Sequence, residues 1–295
     1  MGQFNQVVLK NGSKPVMLVV LAHPDDETFG TGGTIALYTR RGVQVYLVCA
    51  TRGEVGEMDP ALMRGFNSPG ERREAELRCA AEKLGLADVF FLNYRDSGMP
   101  GSPDNSHPDA HMAHPVEEVA GKVTHYIRQL KPQVVLTFDP IGGYRHPDHI
   151  HIHQATIRAF QMAADPAFQD PDGLPPYQAQ KLYFSTISRT FLKVAVRLIR
   201  LFGGDPHRWG KNHDIDLVSI AEVSFPTHAR VDYRAVVPIR DEASACHSSQ
   251  GGQTMTKGIQ GWVTRWLRGT ETYMRAVPAP HKGERLELDL FSNIE

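Results

Sequence analysis

Only three cysteines occur in 295 residues. Cys49, Cys79 and Cys246 are odd in number and far apart in sequence, so no disulfide framework is implied and a reducing cytoplasm is the expected compartment. Long apolar runs are also missing. None approaches the roughly 18 residues of a membrane span, and no charged segment followed by an apolar one opens the chain as an export signal would. A soluble protein without integral membrane association is expected. An excess of either charge is lacking as well: 32 Lys and Arg stand against 33 Asp and Glu, a net charge of −1. That excludes the basic face expected of a nucleic-acid binder. What the chain does have is 41% hydrophobic residues, and its length suits one large α/β domain.

Hydrophobic patterning predicts strands at 16–22, 43–50, 88–92 and 133–138, alternating with helices at about 30–41, 70–84, 116–130 and 149–163. Such alternation implies a mostly parallel, Rossmann-like sheet flanked by helices. Gly30-Thr31-Gly32-Gly33 lacks the full dinucleotide pattern, and no acidic residue ends the second strand, so these glycines are read as permitting close helix packing. After about 165 the pattern loosens. Residues 1–165 are expected to form a metal-binding catalytic core, and 166–295 a less regular part of the same domain that completes the sheet and the pocket. Strands are expected at Lys181–Ser185, Val218–Val223 and Ala229–Val231, and helices at Thr190–Phe202 and 239–249. The basic, amphipathic 190–202 helix suits packing on its own core better than a partner subunit or a membrane surface. Trp262 and Trp266, beside Arg265 and Arg268, are spaced for one helical face.

The chemistry concentrates at two strand ends. Val16–Leu21 runs into Ala22-His23-Pro24-Asp25-Asp26-Glu27, placing one imidazole and three carboxylates at the edge where open α/β sheets keep their sites. Four ionisable groups there are costly to desolvate unless they hold a cation or move protons. His23 and Asp26 can turn to one ion while Asp25 stays free. A catalytic zinc site needs three protein ligands and an open position, and the run Gln133–Phe138 leads to Tyr144-Arg145-His146-Pro147-Asp148-His149, where either His146 or His149 can supply the third. A single His-Pro-Asp reads as a helix cap. Two copies after two parallel strands read as a metal site.

These motifs resemble the zinc-dependent de-N-acetylases of the PIG-L/LmbE-like superfamily. Thr51–Glu57, Arg73-x-x-Glu76 with Ala80-Ala81 and Leu84-Gly85, and Ala243-x-x-x-His247-Ser248-Ser249-Gln250 add to the likeness, which spans about 16–250. Tyr94–Met99 and Gly143–His146 look most like the branch that deacetylates glucosaminyl-inositol in mycothiol synthesis, with its sister amidases. The resemblance implies that His23, Asp26 and His149 bind Zn2+, with Fe2+ or Co2+ as substitutes. It implies that Asp25 acts as general base and then acid on a water acidified by the ion, and that His146, most useful as imidazolium, stabilises the oxyanion. Asp148 is expected to orient His146 or raise its pKa, Tyr144 to add a hydrogen bond to the oxyanion, and Arg73 and Asp96 to hold sugar hydroxyls. Arg145 stands where that branch usually has Gly.

The implied reaction is removal of an N-acetyl group from a small acetamido sugar, with cleavage of a larger mycothiol-type conjugate as the alternative. A His/carboxylate/His triad also serves non-haem iron oxygenases, but their all-β folds do not match this alternation. A homo-oligomer is compatible with the sequence. Other residues have plainer readings. Arg73 lies in a charged helical run whose default is a solvated face. Asp96 suits a turn, Glu27 a helix first turn or a supporting contact, and His247 a satisfied helix histidine. His107, His111 and His114 lie in turn-rich sequence and are read as a mobile loop near the site mouth, without a second metal.

Overall fold

The computed structural model describes residues 4–56, 58–187, 189–208, 215–253 and 269–294. The expected α/β alternation is present. β1 (Val16–Leu21), β2 (Gln44–Thr51), β3 (Asp88–Tyr94), β4 (Val134–Phe138) and β5 (Lys181–Thr186) pair in parallel in the order β3-β2-β1-β4-β5. Every residue of β1 and β4 is buried, as a parallel strand covered on both faces requires. α1 (Asp26–Arg40), α2 (Pro69–Leu84), α3 (Val116–Leu130), the short α4 (Gly142–Arg145) and α5 (Pro147–Ala164) supply the connections. The strand order reverses between β1 and β4, so the loops leaving these neighbours share one crevice, the usual ligand position of a doubly wound sheet.

Local sequence signals fix the helix that later delivers Arg73. Ser68 Oγ accepts the Glu71 amide at 3.1 Å, Pro69 opens α2, and Gly85 closes it at φ 79. Beyond 165 the sheet continues. β7 (Thr270–Val277) pairs antiparallel with β5, and β6 (Ala229–Asp232) antiparallel with β7. β7 had no counterpart in the sequence reading. The strand expected at Val218–Val223 is instead α7 (Leu217–Glu222), because Asp216 accepts the Val218 and Ser219 amides and starts a helix. Six residues, with Ser219 and Glu222 among the apolar ones, carry too little periodicity to decide between the two. α6 (Arg189–Leu201) buries Val196 and, beside Ile220, Leu192, whereas Val194, Leu198 and Leu201 are exposed. The segment holding Trp262 and Trp266 lies outside the described residues. No helix among the described residues is long and apolar enough to cross a membrane.

α8 (Val237–Cys246) packs against α1 and α2 and overturns the cysteine argument. Cys79 on α2 and Cys246 at the end of α8 form a disulfide, with Cα atoms 5.8 Å apart across 167 residues of sequence. Tertiary packing makes that pair, so the cysteines no longer argue for a reducing compartment. Cys49 is buried and free.

Gly33 shows why α1 tolerates glycine. A Cβ there would sit 2.2 Å from the Tyr233 ring. Exchanging a mid-helix Gly for Ala ordinarily gains up to about 1 kcal/mol, but Gly33→Ala is expected to destabilise the fold by about 1–3 kcal/mol through overpacking. A lower urea midpoint at unchanged m-value checks this.

Candidate metal centre and active site

The β1 and β4 loops bring His23, Asp25, Asp26, His146 and His149 together. His23 leaves β1, Asp26 opens α1, and His149 sits in the first turn of α5; all three are at most 8% exposed. His23 Nδ1 lies 3.1 Å from His149 Nε2, and the Asp26 carboxylate oxygens lie 3.6 Å from the former and 3.3 Å from the latter. A tetrahedral zinc with ligands at 2.0–2.2 Å has ligand-to-ligand edges of about 3.3 Å. The three donors therefore already stand at coordination spacing.

The opposite ring nitrogens strengthen that fit. His149 Nδ1 donates to the Gly142 carbonyl at 3.2 Å, and His23 Nε2 donates to Asp148 Oδ2 at 3.1 Å. These contacts turn the His149 Nε2 and His23 Nδ1 lone pairs toward each other, which is the support that metal-binding imidazoles have. Burial opposes charge on Asp26, yet His149 and His23 hold its carboxyl well below the usual range. Burial likewise opposes charge on His23, but Asp96, Asp148 and Asp26 raise its pKa, while burial lowers that of His149 to about 4.

Asp25 is held beside this cluster in a strained backbone conformation, φ 122. Glu27 explains how. Its Oε2 accepts the Asp25 amide at 3.0 Å, and its Oε1 accepts His247 Nε2 at 2.7 Å, both side chains being wholly buried. Despite its own burial, His247 is raised above its ordinary pKa by Glu27. The two residues form one support under Asp25. Arg73 is buried rather than solvated: its guanidinium donates to Asp25 Oδ2 at 3.0 Å, to the Pro24 carbonyl at 2.8 Å and to the Gly53 carbonyl at 3.1 Å. Burial pushes Asp25 up to about 7 against the pull of Arg73, with Asp26 adding to the rise.

That direction sets a pH dependence. A carboxyl of raised pKa is protonated, and useless as a base, below that pKa. kcat/KM is expected to climb with pH along a one-proton acid limb. Its midpoint falls at or below the value of about 7 set by burial, because a cation beside Asp25 favours the carboxylate. A pH profile in constant-ionic-strength buffers checks this.

Asp148 bears on both His23 and His146. The Asp148 carboxylate meets His23 Nε2, the Ser97 amide at 2.9 Å and the Ser97 hydroxyl; only its backbone N–H reaches His146, donating to Nδ1 at 3.2 Å. Burial, together with His23 and His149, lowers the His146 pKa well below its ordinary value. The Asp148 charge opposes that lowering, as expected, without outweighing it, so His146 is a neutral imidazole whose Nδ1 accepts the Asp148 amide, and the Asp148 carboxylate also orients His23. The reason is geometric: His146 is the N-cap of α5, and its neighbour two residues on turns back into the first helical turn. Tyr144 packs edge-on to His149 and His146, with ring centroids 4.9 and 6.0 Å away. Arg145 has φ 69, a conformation glycine adopts freely, and its side chain is exposed, donating to Ser219 Oγ at 3.0 Å.

Asp96 is buried, with Oδ1 3.4 Å from His23 Nε2 and 2.8 Å from the Gly98 amide. Sequence reading missed His111, Ser97 and His151. His111 is wholly buried in a 3-10 turn, His111–Ala113, and contacts Asp148 Oδ1 at 3.4 Å, so it does not belong to a mobile loop. Its neighbours Pro108 and Asp109 gave a turn signal but no sign of what the turn packs against. His107 and His114 do lie at the surface, lining a cavity of about 550 Å³ with Tyr94, Arg95 and Glu118. His23, Asp96 and Asp148 also form a group of metal-binding size. His23, His146 and His149 form another such group. Ser97, His23 and His111 already occupy the Asp148 oxygens, so the donors that stand open together are those of His23, His146 and His149 with the Asp26 carboxylate beside them.

Fold and site together define a hydrolase built at the switch point of a doubly wound sheet. Residues 18–160 match the PIG-L family of GlcNAc-PI de-N-acetylases. A 1D-myo-inositol 2-acetamido-2-deoxy-alpha-D-glucopyranoside deacetylase of Thermobifida fusca is 34% identical over 288 residues, covering 94% of this chain and 98% of its own. The deacetylase of the same description from Thermomonospora curvata is 39% identical over 243 residues, 79% of this chain and 80% of its own. The solved N,N'-diacetylchitobiose deacetylase of Pyrococcus horikoshii shares the fold, with a TM-score of 0.58 and 24% identity over 90% of this chain and 86% of that one. The chain belongs to the PIG-L de-N-acetylase family. It is a deacetylase that removes the N-acetyl group from an N-acetylglucosamine-containing substrate.

Proposed function

We propose that this deacetylase is zinc-dependent and acts on 1D-myo-inositol 2-acetamido-2-deoxy-alpha-D-glucopyranoside, the compound named in its relatives. One observation carries the metal reading: two buried imidazole nitrogens, His23 Nδ1 and His149 Nε2, face each other at 3.1 Å with Asp26 beside them. His23, Asp26 and His149 would hold the ion. Zinc bound there would supply Lewis acidity, polarising the acetamide carbonyl and acidifying a water molecule. Asp25 takes the proton from the attacking water and returns it to the leaving amine. His146, neutral with Nε2–H as donor, steadies the oxygen on which negative charge develops. Tyr144, whose phenol burial raises well above its ordinary pKa, stays a neutral second donor. Asp148 holds the His23 ring.

Arg73 and Asp96 are the groups we assign to sugar hydroxyls. The Arg73 guanidinium lies 3.0 Å from Asp25 Oδ2, beside the proposed reaction centre, which supports that assignment. The described part of the chain beyond residue 165, from which His247 reaches Glu27, is proposed to complete the pocket within the same domain, and the substrate is a small molecule.

Acetate and amine release from the inositol glycoside, from free N-acetylglucosamine and from a mycothiol-type conjugate tests the reading. Prolonged chelation is expected to abolish turnover, and zinc to restore it at one ion per chain. Restoration by Fe2+ or Co2+ but not zinc changes the metal. Turnover of the conjugate alone makes the enzyme an amidase.

A further inference from the structure

We propose that His111 is a positioning residue for the metal centre: it holds Asp148, and through Asp148 it fixes the ring of His23. The inference rests on the metal reading above and extends it to a residue that touches neither ion nor substrate. Asp148 is wholly buried, and its carboxylate is the partner of His23 Nε2. Whatever turns that carboxylate also turns the His23 lone pair. Ser97 grips it through an amide and a hydroxyl, and His111 Nδ1 approaches Oδ1 from the other side at 3.4 Å.

His111 is itself anchored from two directions. Its amide donates to the Arg95 carbonyl at 2.8 Å, and the next amide, Met112, donates to Ser97 Oγ at 3.0 Å. One 3-10 turn thus supports both groups that hold Asp148. On the far side, His111 Nε2 lies 3.4 Å from His151 Nδ1, and His151 Nε2 donates to the His114 carbonyl at 3.0 Å. That last bond leaves His151 Nδ1 as an acceptor, so His111 donates to it from Nε2, and His111 Nδ1, buried and with no hydrogen bond of its own among the described residues, faces Asp148 Oδ1 at 3.4 Å. His151 lies two residues beyond His149 on α5. The turn is therefore bolted to the same helix that carries the second imidazole of the centre.

Two substitutions separate positioning from packing. His111→Phe keeps a ring but removes the donor, whereas His111→Asn offers an amide N–H at the place of Nδ1. Zinc affinity, measured by competition with a chromophoric chelator, is expected to fall about 10- to 100-fold in the Phe variant, the usual cost of losing a supporting contact. Most of it should return in the Asn variant. KM for the sugar should stay within about twofold at saturating metal in both, since His111 does not touch substrate. Equal affinity in the two variants, whether normal or weakened, overturns the proposal. The imidazole nitrogen shifts of His111 in the unmodified protein give a second measure that does not depend on how either variant folds. A protonated Nδ1 supports the proposal, and an unprotonated one overturns it. A wild-type protein that binds no metal removes the metal reading and this inference together. Normal wild-type binding with an indifferent Phe variant removes only the inference.

Discussion

Asp25→Asn should retain one metal ion per chain and lose turnover by about 10⁴-fold, the upper end of what a single acid/base group contributes. The upper end applies because the same carboxyl serves twice, taking a proton from water and giving one to the amine. Asn preserves size and polarity, so the strained backbone at φ 122 and its amide bond to Glu27 should survive. Arg73 loses its ion pair but keeps the carbonyls of Pro24 and Gly53. Metal content per chain and single-turnover rates on the acetamido sugar decide the matter. A variant that loses metal along with rate makes Asp25 a ligand, and one that keeps most of its rate moves the base elsewhere. The acid limb of the pH profile should vanish with the carboxyl.

His149→Ala should have the opposite signature, losing the metal first and activity as a consequence. Losing a contact that merely supports a ligand costs about 10- to 100-fold in affinity, and removing a ligand should cost more than that. The ring is also stacked on Phe138 at 3.9 Å and nearly fully buried, so its removal leaves a cavity. Stability must be followed beside metal content to separate the two losses. His146→Ala is the informative control, because its ring offers a nitrogen within reach of the same centre. If His146→Ala loses the ion and His149→Ala keeps it, the ligand assignment is exchanged. The expected result is that His146→Ala holds its metal and loses about 10²- to 10³-fold in kcat, the scale of one oxyanion donor.

The parts of the site that could be read directly were those adjacent in the chain to a strand end. His23, Asp25 and Asp26 follow β1, and His146 and His149 follow β4; a parallel sheet leaves few ways to keep those two loops apart. The supports were hidden for the complementary reason. His247 reaches Glu27 across 220 residues and His111 reaches Asp148 across 37. Neither contact leaves a periodic or spaced trace. Arg73 misled in its own way: Glu71 in the same charged run is exposed and Arg72 and Glu74 half-buried, but the turn of that helix toward Gly53 and Pro24 puts the Arg73 guanidinium inside, and Glu76 is buried as well.

By itself the sequence determined the α/β alternation, the two strand ends that carry chemistry and the residue types gathered there. Hydrophobic periodicity and ligand spacing are local properties, so they survive in one dimension. Only the tertiary structure decided that the Asp148 carboxylate serves His23 as well as bearing on His146, that Cys79 meets Cys246, that 217–222 is helical and that His111 is buried. Each of these depends on which distant surface a segment is packed against, and that is set by the closure of the whole sheet and its helices.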